Sequence, residues 1–208
     1  MAARAAIGLV GSAALVLAML GTATRGFSAL TTDTARALDV AAKPVLVPEI
    51  ALLDMHRTAH TLRDDRRSTI VDFVYTRCLT VCSALGGIYH TLQSEIGARG
   101  LESQVRLLSV SFDPAWDTPE RLGPYVQVMR ADPAIWTIAT VADTAALPTM
   151  LRTFGIRVID DGVNGFVHNA ALHVVDPKGR LVAILPFDAI GAALEVAKSH
   201  ARVRPARR

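Results

Sequence analysis

The chain has 208 residues, a formal charge of +3 and two cysteines. That length buries a core without covalent staples, and two cysteines cannot make a disulfide framework. The basic excess gathers at Arg202, Arg204, Arg207 and Arg208 without aromatic interleaving, which argues against nucleic-acid binding and for a solvated tail over 201–208.

From Ala5 to Thr24 there is no charged residue, and Ile7 to Leu20 is strongly apolar between Arg4 and Arg25. A bilayer needs about 20 such residues, so residues 1–24 are expected to be a membrane anchor that places the protein outside the cytoplasm. Small residues from Gly21 to Thr24 leave a cleaved signal peptide as the alternative. Residues 25–43 lack a sustained period and read as a linker, with a folded domain over 44–200. Glu49 to Leu62 predicts two short edge strands around a turn, with His56 and His60 as exposed hairpin histidines.

The β-branched run from Thr69 to Tyr75 predicts a buried strand, and the helix after it carries Cys78 and Cys82 in its opening turn and runs to about Gly97. His90 lies eight residues beyond Cys82, about 12 Å along the axis, too far to share a site with both sulfurs. Gln104 to Ser111 predicts a second strand. Asp117 and Glu120 flank Pro119 and predict a capping box on a helix to Met129; Asp113, at the strand's end, is left without such a role. A third strand follows over Ala134 to Thr140, then a helix from Asp143 to Phe154, and a turn-rich loop from Asp160 to Gly165 leading to His168. Ala170 to Leu185 predicts a hairpin turning at Asp176-Pro-Lys-Gly179, with His173 packed inside it, and a last helix runs from Asp188 to His200. Strands alternating with helices, closed by a hairpin and a helix, define an α/β fold: a thioredoxin-like sandwich with a central mixed sheet flanked by helices.

Residues four apart on a helix share a face, with Cβ atoms about 6 Å apart. Unpaired N–H groups and the dipole at a helix N-terminus favour thiolates there, and Arg77 adds to this if it stays near. Three residues lie between the cysteines, where an ordinary redox pair has two. The spacing permits a disulfide and also suits two sulfurs converging on one soft ion such as Cu(I), which a histidine would complete. His168, before the hairpin and toward the C-terminal edge of the sheet, is the candidate third ligand; a plain polar loop residue is the alternative.

Three blocks now resemble a known family: Tyr75-Thr-Arg-Cys78-x-x-x-Cys82, Ser109 through Glu120, and His168 eight residues before Asp176-Pro-Lys-Gly179. Over about residues 44–200 the chain is similar to the SCO/SenC proteins, membrane-anchored thioredoxin-fold copper proteins that help assemble the copper centres of cytochrome c oxidase. The resemblance implies copper on Cys78, Cys82 and His168, with Asp113 in a supporting role. It also implies an oxidase subunit or other copper acceptor as partner, and a reductant for the cysteine pair. Leu79 and Ser83 stand where the family usually has proline, and Val167 where an acidic residue often precedes the histidine. These departures bear on affinity and redox tuning and remove no donor atom. The resemblance thus implies a metallochaperone rather than an enzyme. The alternatives are a membrane-tethered thiol–disulfide oxidoreductase using Cys78 and Cys82 as its redox pair, and a binding module with an idle disulfide. Thioredoxin-type reductases generally carry proline just before the hairpin strand, where this chain has His168-Asn-Ala170.

Overall fold

The structure, a computed structural model, describes residues 14–22, 31–64, 66–77, 81–163 and 165–201, with the backbone alone for 81–85. The described part of a first helix, α1, covers 14–22. After it come α2 (Thr32–Ala42), β1 (Val45–Leu46), β2 (Leu52–Asp54), β3 (Ala59–His60), β4 (Ser68–Val74), α3 (Val81–Ala98), β5 (Val105–Ser111), α4 (Pro119–Met129) and β6 (Trp136–Val141). A short 3-10 turn leads into α5 (Leu147–Phe154), then β7 (Val158–Asp160), β8 (Phe166–His168), β9 (Ala171–Val175), β10 (Arg180–Pro186) and α6 (Ile190–His200).

Eight strands form one mixed sheet in the order β1-β10-β9-β4-β5-β6-β2-β3. β4, β5 and β6 run parallel at its centre, and β9 joins β4 antiparallel. Every residue of β4 and of β5 is buried, as strands covered on both faces require, and both are rich in Val, Ile and Leu. Side chains alternate across a strand. Ile70 and Val74 therefore pack with Tyr89, Leu92 and Ile96 of α3, Leu122 of α4 and Leu194 of α6. Val71, Phe73 and Tyr75 meet Val40 of α2 and Met150 and Phe154 of α5 on the opposite face. The thioredoxin-like sandwich expected from the sequence is the architecture found.

One acid lies inside this packing. Asp72, between Ile70 and Val74, is 2% exposed. Burial pushes its carboxyl up to about 7, partly offset by the facing hydroxyls of Ser109 and Tyr89.

Several expectations change. The stretch read as a linker contains α2, which Thr31 caps by accepting from the Thr34 N–H. Val40 seats the helix in the core, being 1% exposed. The rest of α2 grips the far end of α5: the Arg36 guanidinium donates to the Thr153 carbonyl, and Arg157 pairs with Asp33 at 2.9 Å. Gly155 ends α5 in the left-handed region at φ 74°, where a side chain would be strained.

The loop at 160–165 proves to be the tip of a two-stranded ribbon, β7–β8, in which Val158 pairs with His168 and Ile159 with Val167. His168 thus ends a strand. No capping box forms at α4 either: Thr118 is the N-cap residue, with no side-chain cap bond.

Of the apolar N-terminal segment, 14–22 is helical with Leu15, Val16, Leu17, Met19 and Leu20 exposed. Among the described residues no helix is long and apolar enough to cross a membrane. The remainder of the expected anchor, and the basic tail from 202 on, lie outside the described residues.

Candidate metal centre

The site is assembled at one edge of the sheet. β4 and β5 end side by side there, with Val74 opposite Ser111. Antiparallel β9 begins at the same edge, since His173 pairs with Val71 and Val175 with Thr69. The stretch leading to the cysteines, the loop after β5 and the end of the ribbon therefore converge. In α/β sheets this carboxyl edge is where ligands collect.

His168 is fixed by its surroundings. Its ring stands edge-on to Phe112 at 4.9 Å between centroids and to Tyr75 at 6.4 Å. Nδ1 lies 3.1 Å from the Asn169 carbonyl oxygen, a pure acceptor, so Nδ1 carries the proton in the neutral ring. Nε2 is then left with the lone pair. It is buried and has no hydrogen-bond partner among the described residues. Burial holds the imidazole below its ordinary range, against the smaller opposing effect of the Asn169 bond. A neutral ring fixed through one nitrogen, with the other free, is the form in which histidine binds metals.

The loop after β5 supplies the opposite wall. Asp113 is 8% exposed and holds Arg77 at 2.6 Å, while the Arg77 guanidinium lies 4.8 Å from the centre of the Trp116 ring. Arg77 is thus directed at Asp113 and Trp116, and its charge is compensated there.

Asp117 contradicts its expected helix-capping role. It is fully buried and accepts from the Thr76 N–H at 3.0 Å, the Thr76 hydroxyl at 2.5 Å and the Ser111 hydroxyl at 2.6 Å. Its carboxylate pins the chain two residues ahead of Cys78. Glu120 instead pairs at the surface with Arg57.

Cys78 lies outside the described residues. Cys82 is in the first described turn of α3, with its side chain likewise outside. Among the described residues no group of three His, Cys, Asp or Glu side chains could hold a metal. The other histidines are elsewhere. His56 is exposed, and His60 bonds Asp54 at 2.8 Å on the far hairpin. His90 is exposed on α3, and His173 is buried with ring nitrogens 3.2 Å from the Val71 and Phe154 carbonyls. Burial drives His173 down to about 4, as befits the packed core residue expected.

Sequence reasoning missed Tyr75, Asn169 and Asp117 as parts of this edge. Two of them act through backbone groups that no residue pattern advertises. Asp117 offered one signal: an acid directly before Thr118, the residue that occupies the N-cap position of α4.

Fold and site together describe a thioredoxin-like domain with an imidazole aimed from a ribbon toward the end of its central strands. The SCO1/SenC family model matches residues 53–202, and the chain belongs to that family. An SCO1 protein homolog of Bacillus subtilis (strain 168) is 24% identical over 115 residues, 54% of this chain and 58% of that protein. The match thus spans under two thirds of that relative's length. The structure of BsSco, a member of the Sco family of cytochrome c oxidase assembly proteins in which a disulfide switch was identified, superposes with a TM-score of 0.63 at 20% identity. It covers 76% of this chain and 95% of that one. ScoI of Bradyrhizobium japonicum with copper bound gives 0.56 at 21% identity, over 75% and 99%. At these identities the structural likeness establishes the fold.

Proposed function

We propose that this protein is a copper-binding assembly factor for a respiratory copper oxidase, and that it carries copper as cargo on the thiolates of Cys78 and Cys82 and on Nε2 of His168. The observation that carries this reading is the buried Nε2, which has no hydrogen-bond partner among the described residues while Nδ1 is anchored on Asn169. Leaving such an atom unpaired costs free energy in an apoprotein, and a soft ion shared with two sulfurs would recover it. The donors fit Cu(I), which takes thiolate and imidazole at low coordination number. Copper on ScoI of Bradyrhizobium japonicum supports copper as the ion.

Asp113 supports the site by holding Arg77 away from the metal's place, so that no guanidinium competes for the thiolates. The cysteine pair binds only in its dithiol form, so a partner reductant must supply two electrons when it is oxidised. The copper acceptor is an oxidase subunit or another apoprotein with soft donors. The apolar N-terminal segment would hold the domain at the extracytoplasmic face of a membrane.

Titration of the reduced protein with Cu(I) tests this directly. Wild type is expected to bind one ion, and His168→Ala to bind at least about a hundredfold more weakly, beyond the effect usual for outer-shell residues. Equal affinities would overturn the three-ligand site. The disulfide switch identified in BsSco keeps a second reading in view, a thiol–disulfide oxidoreductase. On that reading Cys78→Ser abolishes reduction of a disulfide substrate while His168→Ala reduces it at the wild-type rate.

A further inference from the structure

We propose that Tyr75 is the positioning residue of this site, its hydroxyl latching the His168 ribbon to the strand that leads into the cysteine pair. This inference rests on the reading of His168 as a copper ligand. The ribbon β7–β8 is a separate two-stranded sheet and, among the described residues, shares no ladder with the eight-stranded one. Something else must fix where His168 stands relative to β4.

Tyr75 follows β4 directly and precedes Cys78 by three residues. Its hydroxyl donates to the Phe166 carbonyl at 3.1 Å and accepts from the Phe166 N–H at 3.2 Å. One side-chain oxygen therefore satisfies both backbone groups of a ribbon residue, as a paired strand would. Phe166 and His168 are two apart on β8 and share a face. The Tyr75 ring touches both edge-on, at 5.3 Å and 6.4 Å between centroids.

The other end of the segment is held by Asn169. Its side-chain amide donates to the Gly155 carbonyl at 3.0 Å, its side-chain oxygen accepts from the Arg157 N–H at 2.8 Å, and its backbone carbonyl accepts from the His168 Nδ1–H. Asn169 thus sets the tautomer of His168, and Tyr75 sets its distance from the sulfur-bearing stretch. A donor held in place before the ion arrives need not be ordered at the moment of binding.

Tyr75→Phe removes the hydroxyl and keeps the ring. Three measurements on the reduced full chain decide the matter. First, Tyr75→Phe is expected to weaken Cu(I) binding about tenfold, the range for residues that orient a ligand. Second, in a double-mutant cycle, Tyr75→Phe added to His168→Ala is expected to change copper affinity no further, because the latch acts through the imidazole. Third, in the metal-free wild type the Phe166 amide is expected to exchange as slowly as the amides of β4, and long-range 1H–15N spectra to show the Nδ1–H tautomer of His168. Tyr75→Phe should speed that exchange and leave the tautomer, which Asn169 sets, unchanged.

Unchanged copper affinity in Tyr75→Phe, where His168→Ala has lost it, overturns the latch and leaves the ligand assignment standing. Unchanged affinity in His168→Ala overturns the ligand assignment instead. A rapidly exchanging Phe166 amide in the wild type overturns the latch without any variant, so the result does not hang on how Tyr75→Phe folds.

Discussion

Asp117→Ala is expected to destabilise the fold by about 3–5 kcal/mol and to loosen the chain that carries the cysteine pair. The carboxylate is fully buried and receives three donors, the Thr76 N–H, the Thr76 hydroxyl and the Ser111 hydroxyl. Alanine leaves all three without an acceptor. Each orphaned buried group costs about 1–3 kcal/mol, and water entering the space left by the carboxyl recovers part of the sum. A helix cap at this position would be worth only about 1 kcal/mol, so the size of the loss separates the two roles. Denaturant unfolding measures it, with Glu120→Ala as reference. Glu120 is paired with Arg57 in the open, and its loss is expected to leave the midpoint nearly unmoved. A loss of about 1 kcal/mol or less in Asp117→Ala would refute the pinning role.

Asp72→Asn is expected to act in the opposite direction, stabilising the protein by about 2–4 kcal/mol near pH 8. The folded carboxyl sits at about 7 against an ordinary 3.8. The folded state thus keeps a proton that the unfolded chain releases between those values. Stability owed to that proton is complete below about pH 4, declines as the pH climbs to about 7, and is flat above. Asparagine has no proton to lose, so the gap between variant and wild type is expected to open over the same interval and to close below about pH 4. Unfolding curves across pH measure this. A gap that stays constant with pH would show that Asp72 is not the group holding the proton.

The parts of the fold legible in the sequence are those decided locally. β4 and β5 announce themselves as predominantly apolar runs rich in β-branched and aliphatic residues. The Asp176–Gly179 turn is written in its residues, since the Asp176 carboxylate accepts from the Lys178 and Arg180 N–H groups. Asp143, accepting from the Ala145 N–H, marks the entry to α5 in the same way. α2 was illegible because a single buried valine and contacts to residues more than a hundred positions away hold it in place. β7 and β8 have three residues each, too few to show a period.

The candidate site divides similarly. His168 could be nominated from its position before the hairpin; among the described residues its buried Nε2 has no hydrogen-bond partner. Cys78 and Cys82 were legible as a spaced pair. Asp117 was misread because its donors, Thr76 and Ser111, come from segments that only the folded sheet brings together.

The docking of α2 also sets a length. Had residues 25–43 been free, the nineteen of them could have paid out to about 65 Å, at roughly 3.5 Å each. With Thr31 capping a helix clamped to Thr153 and Arg157, the stretch between the helical residues 14–22 and the domain shrinks to residues 23–30. Eight residues reach about 30 Å at most. The proposed anchor would therefore hold the domain within about that reach of its own end.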